Sequence, residues 1–348
     1  MNWLDFGLRM HSITERLSPA AAIAHRLRRI WDPALYHGYG KKRHFFEGWY
    51  YKLISADGKS RFAVIPGIAL GDAKETPHAF IQVLDGMARA SHYIRFDAGE
   101  FSFNDHRFEV CIGKNRFTRD GIRCDVSNGA YRFSADVSFS GCVPWPVTLL
   151  SPGIMGPYAF APFMECYHGV LSFDHLISGT IMNNKKKMSM NGGRGYIEKD
   201  WGRSFPSAWV WMQTNHFTRE RVSLTASVAN IPWMGGSFTG FIAGLYLGGK
   251  LYRFASYTGA RLVSIVPEKR SVRYVLADRK RTLSLTAYRA PGANLASPSH
   301  GVMEGRIAES MSARIAVTLT ENGRTVFKDE GVHAGLEISG NIGNIDHQ

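Results

Sequence analysis

The chain has 348 residues, more than one ordinary single-core domain holds, so about two domains are expected. Hydrophobic residues at 45% and charged residues at 20% exclude a disordered chain, and 36 Gly with 14 Pro exclude a collagen-like one. The net charge of +13 favours anionic partners, but it is spread along the chain instead of lying on one aromatic-flanked element, which argues against nucleic-acid binding.

Ser18-Pro19 reads as a helix start, with Ser as N-cap and Pro in the first turn. Ile23, Leu27, Ile30 and Trp31 then fall on one helical face, His25, Arg26, Arg28 and Arg29 lie off it, and Asp32-Pro33 ends the run. This fits a surface helix capping a domain, or a basic amphipathic helix resting on a membrane. After residue 45 the dominant period is two. Tyr131, Phe133, Ala135, Val137 and Phe139 alternate with polar residues, as do Val222 to Val228 and Ala313 to Leu319. Asp57-Gly58, Asp120-Gly121, Gly248-Gly249 and Asn322-Gly323 mark turns between such runs.

The expected fold class is therefore all-β: two tandem antiparallel barrels behind a short N-terminal helix. The polar stretch Met182 to Gly193 suggests the boundary. The expected segments are 1–36 (helical), 37–185 and 186–340 (barrels) and 341–348 (tail). Cys111, Cys124, Cys142 and Cys166 show no C-x-x-C spacing and are expected to be free thiols. No secretory signal or spanning helix is expected, because no stretch approaches the ~18–20 apolar residues that a span requires.

P-loop, dinucleotide, G-x-S-x-G and H-E-x-x-H patterns are absent, so no cofactor is expected. Among scattered histidines His168 and His175 are the closest suggestive pair, but their spacing does not support a metal. Two segments place carboxylates among aromatic rings. One is Phe45 to Lys52, with Glu47, Trp49 and Tyr50. The other runs from Gly195 to Asn215, with Glu198, Asp200, Trp201, Trp209, Trp211, Gln213 and Asn215. A carboxyl that loses hydration has a raised pKa and becomes a candidate proton donor. Glu198 and Asp200 share a strand face that Lys199 does not, and Trp209 and Trp211 share another. The same residues also fit a strand-end ion cluster and a packed core. Between the segments lies an apolar, aromatic stretch with Tyr158 and one acid, Glu165, suited to a lipid-like pocket or to a packed linker.

Phe46-Glu47-Gly48-Trp49-Tyr50-Tyr51-Lys52 and Glu198-Lys199-Asp200-Trp201-Gly202, continuing through Ser204-Phe205-Pro206 to Trp211, Gln213 and Asn215, resemble the signatures of the tocopherol cyclase family. So do Ile65-Pro66-Gly67, His78 to Asp85 and Ala334-Gly335-Leu336-Glu337, in the family's order over roughly Lys41 to Ser339. More distantly, the pattern resembles carotenoid hydratases and other tandem lipocalin-like proteins. The resemblance implies two lipocalin-like barrels and a prenylated quinol substrate, closed to a chromanol without a cofactor. Asp200 stands where the plant-type pattern commonly has Asn, an acid in place of an amide, and no plastid transit peptide is expected.

The expected reaction is protonation of a prenyl alkene and capture of the tertiary cation by a phenol oxygen. The acid candidates are Asp200 and Glu198, then Glu47 and Glu165. Trp49, Tyr50, Tyr158, Trp201, Trp209 and Trp211 are expected to wall the substrate, with Gln213 and Asn215 beside it. A carrier of a prenyl quinone, carotenoid or other lipid, and an isoprenoid hydratase or isomerase, are the alternatives. The expected partners are a hydrophobic small molecule and an anionic membrane surface, with a cytoplasmic location at its inner face.

Overall fold

The computed structural model describes residues 10–345 apart from 14, 16, 73, 74, 162, 163, 234 and 235. The chain is nearly all β and divides into two compact units. The first comprises Met1–Leu84, Ser91–Phe205 and Ala296–Gly305; the second comprises Asp85–Ala90, Pro206–Leu295 and Arg306–Gln348. The division falls after Phe205 and not within 182–193. That polar stretch is a hairpin: Lys186–Ser189 folds back on Cys166–Asn183, and Gly193–Gly202 then pairs with the same long strand inside the first unit.

In the first unit, adjacent antiparallel strands run Tyr131–Ser140, Cys166–Asn183, Gly193–Gly202, Phe46–Ile54, Arg61–Ala69, His78–Asp85 and Ala90–Asp97. The second sheet runs from Lys250–Ala255 through Val222–Trp233, Ala208–Thr214 and Arg324–Ser339 to Arg261–Pro267. The fold is lipocalin-like. Neither hydrogen-bonded path closes on itself among the described residues, so by hydrogen bonding both expected barrels are open sheets.

The alternation in Tyr131–Ser140 places Tyr131, Phe133, Ala135, Val137 and Phe139 in the first core, which also holds Trp49, Tyr51 and Trp201. Leu224, Ala226, Leu283, Leu285, Ile315 and Val317 build the second core by the same rule. Asn322 (φ 51°) and Gly323 (φ 78°) turn Val302–Glu321 into Arg324–Ser339, with the two positive angles that an Asn-Gly hairpin turn needs. All four cysteines are free, and burial pushes the Cys124 thiol up to about 12.

The helix spans Pro19–Trp31, and the Ser18 side chain accepts a hydrogen bond from the Ala21 N–H at 3.3 Å. Its apolar face is largely exposed. Ile23 and Leu27 are 60% and 55% exposed, and His25 is the buried residue. Polar contacts dock it: His25 Nε2 lies 2.8 Å from the Tyr36 carbonyl, and Arg28 and Arg29 donate to the carbonyls of Asp105 and His37.

Candidate functional site: two faces of one strand

The strand Gly193–Gly202 lies between Cys166–Asn183 and Phe46–Ile54. This register sets His168 opposite Asp200, Tyr50 opposite Glu198, Trp49 opposite Lys199 and Glu47 opposite Trp201. Side chains alternate along it, so Lys199 and Trp201 share one face and Tyr196, Glu198 and Asp200 share the other.

On the first face Lys199 and Glu47 are both fully buried and form an ion pair at 2.5 Å. Lys199 Nζ also reaches the carbonyls of Pro33 and Leu35 and the His37 Nδ1, at 3.0, 2.5 and 2.8 Å. It lies 4.8 Å from the ring centroids of both Trp49 and Trp201. The His37 N–H donates to both Glu47 oxygens, at 3.0 and 2.8 Å. Burial lowers Lys199 and Glu47 only partly restores it, to about 8. Burial acts to raise Glu47, but Lys199 and the His37 hydrogen bond outweigh it, so its pKa lies below the usual carboxylate value. The expected rise for a carboxyl among aromatic rings is therefore reversed here: the buried ammonium keeps Glu47 ionised. Burial and then Lys199 push His37 down to about 3, so it is neutral and its Nδ1 accepts from Lys199. The pair latches the segment after the helix onto the sheet.

On the opposite face His168 Nδ1 lies 2.8 Å from Asp200 Oδ1, and its Nε2 lies 3.7 Å from Glu198 Oε2. The Tyr196 hydroxyl donates to Glu198 Oε2 at 2.6 Å. Burial opposes charge on the imidazole, but Asp200 and then Glu198 overcome it and lift His168 to about 9. At neutral pH the proton of this cluster therefore resides on His168 between two acids. The three side chains bring ligand atoms within 4.8 Å of one another. A metal there would have to displace the imidazolium proton.

The remaining expected residues lie elsewhere. Trp49 is a core residue, stacked at 6.2 and 6.0 Å on Phe101 and Phe108, and its Nε1 donates to the Ala34 carbonyl. Glu165 is half-buried, and its carbonyl accepts from the Arg203 N–H at 2.7 Å. Tyr158 is half-buried in the short turn Gly156–Phe160. Trp209, Trp211, Gln213 and Asn215 belong to the second unit and are buried there, with Trp209 Nε1 donating to Glu337 Oε2 at 2.9 Å.

A cavity of about 340 Å³ opens in the first unit beside the strand end. Trp201 is in its wall, stacked on His37 at 4.2 Å and on Tyr167 at 5.5 Å. His168, Met155, Met164, Phe45 and Pro33 also line it, together with Arg26, Arg29, Lys41 and Arg203. His37, Tyr196 and these basic residues escaped the sequence reading. A buried His peptide N–H and scattered cations leave no local pattern, whereas Lys199 is visible only as a member of a strand-end ion cluster on the face away from Glu198 and Asp200.

A lipocalin-like, all-β chain with an imidazolium held between two carboxylates on the central strand is the class defined by fold and site. Residues 144–340 match the family described as tocopherol cyclase-like, more than half of the chain, and the chain belongs to that family. It is 23% identical over 286 residues to the chloroplastic "Probable tocopherol cyclase" of Oryza sativa subsp. japonica, covering 67% of this chain and 60% of that one. Over 109 residues it is 29% identical to the chloroplastic tocopherol cyclase of Zea mays, 30% of this chain and 23% of that one. The chain thus spans about 60% of the length of the rice relative. The structure of CghA with Sch210972 superposes with a TM-score of 0.54 at 10% identity, covering 85% of this chain and 89% of that one, a likeness of fold.

Proposed function

We propose that the protein catalyses proton-initiated cyclisation of a prenylated aromatic, with His168, Asp200 and Glu198 as its acid cluster. The observation that carries this reading is the His168 imidazolium between two carboxylates, with the same histidine in the wall of a cavity that mixes apolar and aromatic side chains with basic ones. The cluster gives one proton to the less substituted alkene carbon, and a tertiary cation forms on its neighbour. The phenol oxygen bonds to that carbon, and its proton returns to the cluster, so substrate and product are isomers. Having given up its proton the cluster gains a unit of negative charge just as the cation appears, which is differential stabilisation of the transition state. The tail must fold against the ring, and the cavity wall of Trp201 and Tyr167 supplies faces for that.

Turnover of prenylated hydroquinones in D₂O, anaerobic in detergent, tests the reading. An isomeric product with one deuterium on carbon, lost in Asp200→Asn, is expected. A mass gain of one D₂O would replace cyclisation by hydration. Tight binding without any product would make the protein a carrier.

The substrate class dissolves in membranes, and the exposed face of the helix supports peripheral contact with an anionic bilayer. Ile23 and Leu27 adjoin Trp31, whose Nε1 donates to the Leu149 carbonyl at 3.0 Å and whose ring meets Phe160 at 6.1 Å. Leu149 and Leu150 beyond it are 74% and 77% exposed. This apolar stripe, next to basic residues of the same helix, has the composition of an interfacial anchor. No helix among the described residues is long and apolar enough to cross a membrane.

A further inference from the structure

Four cations drawn from three distant parts of the chain meet at the cavity: Arg26 and Arg29 from the helix, Lys41 from the loop after it, and Arg203 from just beyond the central strand. No Asp or Glu is among the described residues that line it. None of the four is in an ion pair with a carboxylate among the described residues. Arg29 donates to the His37 carbonyl, and Lys41 Nζ lies 5.1 Å from the Phe45 ring centroid. Glu47, which is not in the lining, acts on Arg29 and Lys41 but is already paired with Lys199. Burial depresses Arg29, an effect Glu47 offsets more than Arg26 adds to it, and burial followed by Arg29 and, less, Arg203 depresses Lys41 against Glu47. Folding has thus gathered four cations, and no carboxylate among the described lining residues, around a concave, partly apolar space, an arrangement that an anion would relieve.

We propose that this cavity binds the anionic head of an amphiphile, a carboxylate or phosphate monoester, between Arg26, Arg29, Lys41 and Arg203, with its apolar part against Met155, Met164 and Trp201. The inference concerns the same cavity as the proposed reaction and deepens it. A carbocation formed near four cations gains from negative charge that the ligand brings in addition to that of the cluster, so a prenylated aromatic carrying a carboxylate or phosphate should turn over faster than a neutral quinol. The binding claim needs no turnover and stands or falls separately.

Calorimetry on the full chain, with dodecanoate, dodecyl phosphate, dodecanol and dodecyltrimethylammonium below their micelle concentrations, tests it. Dodecanoate or dodecyl phosphate should bind about tenfold or more tighter than dodecanol, the ammonium should not bind, and added salt should weaken only the anions. The double variant Lys41→Gln/Arg203→Gln should remove that preference while leaving dodecanol affinity unchanged. Asp200→Asn should keep it, because Asp200 is outside the lining, which separates this outcome from failure of the reaction. Dodecanol binding as tightly as the anions would overturn the proposal. So would an unchanged preference in both the double variant and Arg26→Gln. Inorganic phosphate binding as tightly as dodecyl phosphate would overturn the amphiphile.

Discussion

Asp200→Asn removes the closest partner of the His168 imidazolium, and its cost should depend on pH in a defined way. His168 sits at about 9 in the folded chain against an ordinary 6.5. A raised pKa on a base means that the folded state holds the proton more tightly. Its contribution is therefore fully present below 6.5 and vanishes as pH rises through about 9. The difference corresponds to roughly 3 kcal/mol at pH 6 and below, roughly 2–3 kcal/mol at pH 7, and nearly nothing by about pH 10. Without the Asp200 charge, burial opposes Glu198 alone, and His168 should fall back to its ordinary value or below. Denaturant unfolding of both proteins at pH 6.5, 7.5 and 10 measures this, and an NMR titration of the His168 ring reports its pKa directly. The Asn variant should be about 2–3 kcal/mol less stable at the lower two values and nearly equal to the parent at the highest. A stability gap independent of pH, or a wild-type His168 that titrates below 7, would refute the charge assignment.

If the cluster is the acid, turnover should fall on the alkaline side with an apparent pKa near 9, read from a pH–rate profile with the cyclisation assay. Glu47→Gln strands the buried Lys199 and should cost about 3–5 kcal/mol in urea unfolding, whereas Glu47→Gln/Lys199→Met should recover part of that loss. Leu27→Ser/Leu150→Ser should weaken sedimentation with anionic vesicles without changing the melting temperature, since both side chains are exposed. Gly202→Ala should destabilise the chain by well over about 1 kcal/mol in thermal melts, because a Cβ there would lie 2.1 Å from the Glu165 carbonyl oxygen at a backbone φ of +154°.

Much of this architecture is legible from alternation alone. The Tyr131 strand, the Asn322-Gly323 turn, the Ser18 cap and the shared face of Glu198 and Asp200 follow from periods and turn chemistry that act over a few residues. The helix shows where such reasoning stops. Periodicity separates Ile23 and Leu27 from His25 and the arginines, but which side docks depends on carbonyls at Tyr36, His37 and Asp105, some of them remote in sequence. The lysine run at 185–187 looked like a linker because charge and Asn-Gly signals are common to linkers and hairpin tips. Lys199 shows a further limit. Strand alternation sends it to the face away from Glu198 and Asp200, but nothing local shows that Glu47, 152 positions earlier, meets it there. Long-range pairings set the ionisation of both clusters, and no local window contains them.

The short segment Ala296–Gly305 belongs with the first unit although nearly a hundred residues of the second precede it. There the Ala296 N–H donates to Gln82 Oε1, the His300 N–H to Ser204 Oγ and the Gly301 N–H to the Arg203 carbonyl, at 2.8, 2.6 and 2.6 Å. During synthesis, then, the first unit emerges without the strip that fastens Arg203 and Ser204. Its completion waits until the ribosome has made almost the entire polypeptide. A fragment ending at Phe205 would keep every residue of the His168 cluster and lack the clasp beside it. The first unit is thus complete only late in synthesis, and a stop codon anywhere before residue 305 would damage it as well as the second.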